Sequence, residues 1–348
     1  MKIDLDGVEV FPLLSTPTLN SFCWIPSVMK ILDSFAALPK NFGPCVLTLG
    51  NFDGVHLGHR ELFRRLNQLS KEQRCSSVVC TFNPHPLKFL CPDKAPPLIN
   101  TIEEKRRLIA SSKVDYLLEI PFTHEFSSIA PEHFVDDILL GKLQVRSLVV
   151  GYDYAFGKGR SGNADFLQSY GASRGLSVEV LQPVGADGQP YSSTRVRNYI
   201  SAGQVADVIS LLGRQYTFEG KVVPGDKRGR EIGFPTANIK TDKELLPAIG
   251  VYAVKVRYKS HIYNGVVSIG FRPTFSGNFP TIEVYLMDFE GDLYGQSLRL
   301  YFVKRLRKEL KFTAVDALIE AITNDVIRAR EILKAARVIE YREYLSKL

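Results

Sequence analysis

His56 and His59 are the residues whose types and spacing point most directly to chemistry. They lie in Gly50-Asn51-Phe52-Asp53-Gly54-Val55-His56-Leu57-Gly58-His59, between a short apolar run and a stretch with helical spacing. A junction from strand to helix offers free backbone N–H groups and the positive end of a helix dipole, so it attracts phosphate. Gly50 and Gly58 allow a ligand close to the backbone, and two imidazoles three residues apart can donate to one phosphate chain. The plainer reading is a turn carrying two surface histidines.

Three further segments follow apolar runs or open a helix. Thr81-Phe82-Asn83-Pro84-His85-Pro86 is a rigid proline turn with a histidine at its centre. Gly151-Tyr152-Asp153-Tyr154-Ala155-Phe156-Gly157 offers a carboxylate and aromatic rings, the groups that hold a ribose and an adenine. Ser192-Ser193-Thr194-Arg195-Val196-Arg197 places hydroxyls at a helix start and arginines one turn in, a pattern suited to phosphate oxygens. A plain helix cap accounts for the serines but not for the arginines.

Later in the chain, Gly225-Asp226-Lys227-Arg228-Gly229-Arg230-Glu231-Ile232-Gly233-Phe234-Pro235-Thr236-Ala237-Asn238 joins a basic glycine-rich loop to two hard oxygen donors. The loop can wrap phosphates, and Thr236 and Asn238 suit a magnesium ion that already carries nucleotide oxygens. Glu283 alternates with Ile282 and Val284, so it faces away from these apolar neighbours. Taken alone it reads equally as an exposed strand carboxylate.

The elements that must position these residues divide the chain in two. Apolar runs at 45–50, 77–82, 116–122, 147–153 and 177–184 alternate with helical stretches near 57–72, 101–113, 131–142 and 162–174, which predicts a doubly wound parallel sheet. Two more helices are expected near 193–201 and 203–212. Beyond Gly213, strand-like segments at 216–223, 250–258, 261–270, 281–289 and 297–304, with turn-like breaks, predict an antiparallel barrel or sandwich. Thr313 is a candidate N-cap for a C-terminal helix whose apolar residues are Val315, Leu318, Ile319, Ile322, Val326 and Ile327. The expected organisation is a lead-in over 1–44, an α/β domain over 45–185, a helical connection over 186–213 and a barrel domain over 214–348.

Composition excludes several classes. With 348 residues, 45% hydrophobic and 23% charged, the chain can bury ample core, and its length suits two domains. No apolar run is long enough for a membrane span, and the mixed charges of the first ten residues are unlike a secretion signal. Five cysteines without a C-x-x-C pair read as reduced thiols of a cytoplasmic protein. Residues 1–213 balance 21 basic against 21 acidic residues, whereas 214–348 hold 23 against 16, so the net charge of +7 belongs to the second part. Such an excess can attract nucleic acid or nucleotide phosphates alike. Gly157 to Gly162 matches the dinucleotide pattern G-x-G-x-x-G but follows the fourth strand instead of opening the first unit.

In this ordered set of motifs, to which Asp292-Leu293-Tyr294-Gly295 adds a last member, the chain resembles the bifunctional riboflavin kinase and FAD synthetase family over about residues 45–335. The resemblance implies an N-terminal nucleotidyltransferase domain that makes FAD from FMN and ATP, and a flavokinase barrel that makes FMN from riboflavin and ATP. It implies ATP as co-substrate, Mg2+ as metal and small-molecule partners only, with neither nucleic acid nor membrane. For adenylyl transfer it points to His56 and His59, with Gly50, Asn51, Asp53, Gly58, Asp153, Phe156, Ser192, Ser193, Thr194 and Arg197 binding the nucleotide. For the kinase it points to Glu283 as base, Thr236 and Asn238 as metal ligands, and Gly225, Lys227, Arg228, Gly229, Gly233 and Pro235 around the phosphates. Two departures stand out: Pro190 where a basic residue is usual, and Ser268 where asparagine is frequent. The alternatives are another His-x-Gly-His nucleotidyltransferase with a basic barrel that binds nucleic acid, and an RNA-binding protein.

Overall fold

A computed structural model describes residues 29–225, 228–274 and 277–339. The first half is a parallel sheet of β1 (Lys30–Leu32), β2 (Cys45–Leu49), β3 (Ser76–Asn83), β4 (Tyr116–Pro121), β5 (Val145–Gly151) and β6 (Ser177–Leu181), in the order β1-β4-β3-β2-β5-β6. Every residue of β2 is buried, because its side chains alternate between two cores on opposite faces. Val46 packs with Phe63, Leu66 and Leu69 of α1 (Leu57–Glu72), while Cys45, Leu47 and Leu49 pack with Phe134, Ile138 and Leu139. The latter residues belong to a π-helical segment, Phe134–Lys142, within the helix expected over 131–142. α2 (Pro86–Leu90), α3 (Ile102–Ala110) and α4 (Ala164–Ser173) are further helices of this half, which also has the short helices His124–Ser127 and Pro131–His133. β1 falls in the stretch that showed no period: three residues at a sheet edge are too few to display an alternation.

The sheet order puts β2 between β3 and β5, so the connections leaving β2 and β5 depart on opposite sides. The crevice at such a reversal, beyond the carboxyl ends of the strands, is where doubly wound sheets bind ligands. The segments Gly50–His59 and Gly151–Gly157 both emerge there.

The second half is a closed barrel of β7 (Thr217–Val223), β8 (Thr236–Lys240), β9 (Gly250–Tyr258), β10 (His261–Thr274), β11 (Gly277–Leu286) and β12 (Ser297–Arg307), all paired antiparallel in the order β7-β8-β11-β10-β9-β12. β8 was not expected, since of Thr-Ala-Asn-Ile-Lys only Ile239 is buried, and its two neighbours impose the strand. α5 (Ser193–Ser201) and α6 (Val208–Leu212) send Val196, Ile200, Val208, Leu211 and Leu212 into the same core as Phe218, Tyr252 and Phe302 of the barrel. Ile99 of the sheet half joins that core.

α7 (Val315–Lys334) lies against the barrel through Ala329 and Leu333. It departs from the expected pattern at its start and on its face. Ala314, not Thr313, occupies the N-cap and makes no side-chain cap, and Val315 and Ile327 are exposed.

Candidate active sites

The turn after β2 is held against its own backbone preferences. Phe52 and Val55 have φ of 46° and 40°, and Gly54 lies between them at 84°. A β-branched residue in the left-handed region costs about 1–3 kcal/mol and persists only where its surroundings over-determine it. Here the Phe52 and Val55 side chains are buried. Lys105 Nζ donates to the Asn51 carbonyl at 3.0 Å and Thr81 Oγ1 to the same oxygen at 3.3 Å. From the barrel half, Arg214 donates to the carbonyls of Gly54 at 2.7 Å and Val55 at 3.1 Å. Gly50 has a steric reason as well, because a Cβ there would lie 2.9 Å from the Phe52 ring.

This turn delivers His56 to the N-cap of α1. Its Nδ1 accepts the backbone N–H of His59 at 3.3 Å, so the neutral ring carries its proton on Nε2. The two imidazoles stack with centroids 3.6 Å apart. Burial, and then the Arg214 charge, push the His56 pKa down to about 3. Burial first, then His56 and Lys105, hold His59 well below the usual histidine range. Nδ1 of His59 is buried and meets no hydrogen-bond partner among the described residues. A buried polar atom of this kind calls for a partner, and a phosphate oxygen beside the first turn of a 16-residue helix would supply one. A Cβ on Gly58 would come within 3.2 Å of the His56 ring, so the glycine preserves the stack.

The structure brings the Ser192 to Arg197 segment to the same place, with roles that differ residue by residue. Ser192 is the N-cap of α5 and accepts from Arg195 N, Ser193 Oγ donates to the Asp53 carbonyl at 2.7 Å, and Thr194 is exposed. Arg197 donates to the Asp53 carboxylate at 2.6 Å and to the Pro97 carbonyl at 3.0 Å. Asp53 itself is buried and also accepts from the N–H groups of Ile99 and Asn100. It therefore lies beneath the turn and orients Arg197. Arg195 Nη1 donates to the carbonyls of Gln189 and Pro190.

Phe156 is buried among Phe134, Tyr154 and Phe166. Asp153 and Tyr152 are left exposed at the end of β5. Residues 157–162, the dinucleotide look-alike, form a tight connection between the short strands Ala155–Phe156 and Gly162–Asn163.

Sequence reasoning singled out the Pro-His-Pro turn and missed three residues around it, Glu104, Lys105 and Arg214. His85 caps α2 through its Nδ1, and its charge environment includes Asp53, Lys105 and Arg197, so the Pro-His-Pro turn faces the same crevice. Lys105 and Glu104 sit on α3, and Arg214 follows α6; no local pattern distinguishes them from surface charges.

The second set of residues collects on the outer face of the barrel. Asn238 of β8 lies directly opposite Glu283 of β11, and Ser268 of β10 flanks Glu283 on its other side. Thr236, two residues from Asn238 and on the same face, donates to Glu283 Oε2 at 3.3 Å. Ile282 and Val284 point into the barrel core, as their alternation with Glu283 requires. The glycine-rich loop folds down on this face. A Cβ on Gly225 would fall 2.0 Å from Asn238 Nδ2, and one on Gly229 would meet the Phe234 carbonyl at 2.3 Å and Thr236 Oγ1 at 3.2 Å. Gly233 supplies the left-handed turn (φ 85°) that returns the chain to exposed Pro235 and into β8. The Lys227 expectation lies outside the described residues, as does the side chain of Arg228, whose backbone begins the short helix Arg228–Glu231. A hydroxyl, an amide and a carboxylate oxygen on one face form a hard donor set that fits Mg2+.

A helix start suited to phosphate at the reversal point of a parallel sheet, joined to a barrel with an oxygen-rich outer face, is the arrangement expected of a transferase that handles nucleotides. Comparison with known proteins agrees. The FAD synthetase family model matches residues 38–195 and the riboflavin kinase model residues 212–333. The bifunctional riboflavin kinase/FMN adenylyltransferase of Escherichia coli strain K12 is 39% identical over 288 residues, 82% of this chain and 92% of the relative. That of Pseudomonas fluorescens is 40% identical over 293 residues, 84% and 94%. A solved structure from Streptococcus pneumoniae, described as a macrolide-efflux protein, superposes with a TM-score of 0.78 at 32% identity, covering 87% of this chain and 99% of that one. The chain belongs to the bifunctional riboflavin kinase/FMN adenylyltransferase family.

Proposed function

We propose that the chain phosphorylates riboflavin to FMN on the barrel (214–348) and adenylylates FMN to FAD on the sheet (45–185), using ATP in both steps, with residues 186–213 joining the two domains. The supporting observation is that each motif set converges on its own scaffold: His56, His59 and Arg197 beyond β2, and Thr236, Asn238 and Glu283 across β8 and β11.

In adenylyl transfer the FMN phosphate attacks the α-phosphorus of ATP and pyrophosphate leaves. A phosphate monoester has a second pKa of about 6, so it is largely dianionic at neutral pH and needs no base. The chain's task is positioning and charge stabilisation. His56 Nε2–H and His59 offer neutral donors at the start of α1, Asn51 and Thr194 offer polar side chains, and Arg197, aimed by Asp53, offers a cation.

In the kinase step the nucleophile is a neutral ribityl hydroxyl. Glu283 orients it and takes its proton, and the Thr236 hydroxyl bond holds that carboxylate in place. Thr236 and Asn238 would hold Mg2+, which when bound would neutralise charge on the transferred phosphate. A cytoplasmic location accords with the unpaired Cys45, Cys75, Cys80 and Cys91.

The test is to incubate the purified protein with riboflavin, ATP and Mg2+ and to separate riboflavin, FMN and FAD. The parent should yield FAD through FMN, and a His56→Ala variant should stop at FMN. Absence of FMN from the parent would refute the proposal.

A further inference from the structure

Two basic residues of the barrel half are buried beneath the histidine turn of the sheet half. Arg214 follows Gly213, whose left-handed backbone (φ 67°) ends α6 and turns the chain. Its guanidinium makes hydrogen bonds to three carbonyl oxygens, those of Leu212, Gly54 and Val55. The last two belong to the peptide groups on either side of Val55, whose strained φ of 40° immediately precedes His56. Lys243, in the connection from β8 to β9, is buried against Glu104, which also accepts from Asn100 Nδ2 at 3.2 Å and Thr101 N at 3.1 Å. The adjoining N–H groups of Ile99 and Asn100 hold Asp53, and Asp53 holds Arg197.

We propose that Arg214, although it belongs to the barrel half, is a positioning residue for FMN adenylylation: its guanidinium clamps the Gly54 and Val55 carbonyls and so sets His56 at the head of α1. The argument is conformational. A β-branched residue does not stay in the left-handed region by local preference, and the turn that follows a strand could relax to present His56 elsewhere. A planar fork donating to two successive carbonyls fixes the two peptide planes that flank the residue between them, here Val55, and so its φ and ψ. Arg214 contacts no reacting atom, so its effect passes through His56. Lys243 braces the other side of the site by the same logic. The adenylylation site is then complete only when the barrel is docked, while Thr236, Asn238 and Glu283 lie elsewhere on the barrel and need neither clamp.

This inference rests on reading the His56 turn as the adenylylation site, so the experiment includes His56→Ala beside Arg214→Met and Arg214→Lys, all in the full chain. For each preparation kcat and KM are measured for FMN adenylylation and for riboflavin phosphorylation, and their kcat ratio is compared, which cancels differences in folded fraction. Arg214→Met should lower the ratio about 10- to 100-fold, the scale expected when catalytic groups shift by about 1 Å. Riboflavin phosphorylation should stay within about twofold of the parent, since the donors it uses are remote from this interface. Arg214→Lys, which keeps the charge and loses the fork, should recover part of the adenylylation kcat. A ratio equal to the parent's in both Arg214 variants, with adenylylation lost in His56→Ala, overturns the clamp and leaves the site reading intact. Both activities falling in step also overturns it, because Arg214 then only supports the fold. Adenylylation that survives His56→Ala removes the site reading and the clamp together.

Discussion

The guanidinium of Arg197 and the carboxylate of Asp53 meet at 2.6 Å, joining two motifs 144 positions apart in the chain. Both side chains are largely buried, at 14% and 3% exposure. Removing one partner of such a pair leaves an uncompensated buried charge, an effect of about 3–5 kcal/mol. Asp53→Asn should therefore lower stability by an amount in that range and suppress FAD formation. Urea denaturation followed beside product analysis tests this; a midpoint equal to the parent's would show that Asp53 does not organise the site.

His56→Ala and His59→Ala should each reduce FAD formation by about 100- to 1000-fold, the usual consequence of losing one preorganised donor to developing charge. FMN formation should change little, because neither histidine touches the β8 and β11 face. Steady-state rates of both steps on one preparation distinguish the cases, and an equal loss of riboflavin phosphorylation would contradict the separation of the two sites.

The same histidines make stability depend on pH. Burial lowers both folded-state pKa values, that of His56 to about 3, whereas an unfolded histidine titrates near 6.5. Below about pH 6.5 the unfolded chain binds protons that the native protein refuses, so the stabilisation present above that pH is lost as pH falls toward 3. Each such histidine contributes a slope of at most about 1.4 kcal/mol per pH unit. Denaturation midpoints measured between pH 7.5 and 5 should fall more steeply in the parent than in His56→Gln, relative to each protein's own value at neutral pH. Parallel curves would mean that His56 titrates normally in the fold.

Glu283→Gln retains the shape of the side chain and a hydrogen-bond partner for Thr236 but loses the proton acceptor. Riboflavin and ATP binding should persist while phosphorylation slows by about 100- to 10,000-fold. Single-turnover phosphorylation reads the step directly, and a rate within a few-fold of the parent would leave Glu283 an ordinary strand carboxylate.

Thr236→Ala and Asn238→Ala should raise the Mg2+ concentration needed for half-maximal phosphorylation and leave the Mg2+ dependence of adenylylation as it was. An unchanged titration in both variants would remove these residues from the metal site. Thr236→Ala should have the larger effect on kcat, because it also withdraws the hydroxyl bonded to Glu283.

Much of this arrangement was legible in the sequence. Continuous apolar runs such as Cys45–Leu49 and the helical spacing of Phe63, Leu66 and Leu69 follow from local periodicity, which survives packing because the packing selects for it. Glycines at 50, 58, 225 and 229 read from the sequence as letting phosphate approach the backbone, whereas the structure shows that a Cβ at each would crowd or collide with protein atoms. What only the tertiary structure decided is which functional-looking residues stand exposed in the crevice and which are packed or bonded within the protein. Phe156 packs among aromatic rings, and Asp53 is held by the N–H of Ile99 and the guanidinium of Arg197, groups brought to it only by the fold. β8 became a strand because two neighbours offered it hydrogen bonds, not because its own residues asked for one. Arg214 and Lys243 carry no local signal, since a charged residue's importance here comes from carbonyls and carboxylates that approach from more than a hundred positions away. Periodicity is a property of neighbours in sequence, whereas the clamp on the histidine turn is a property of neighbours in space.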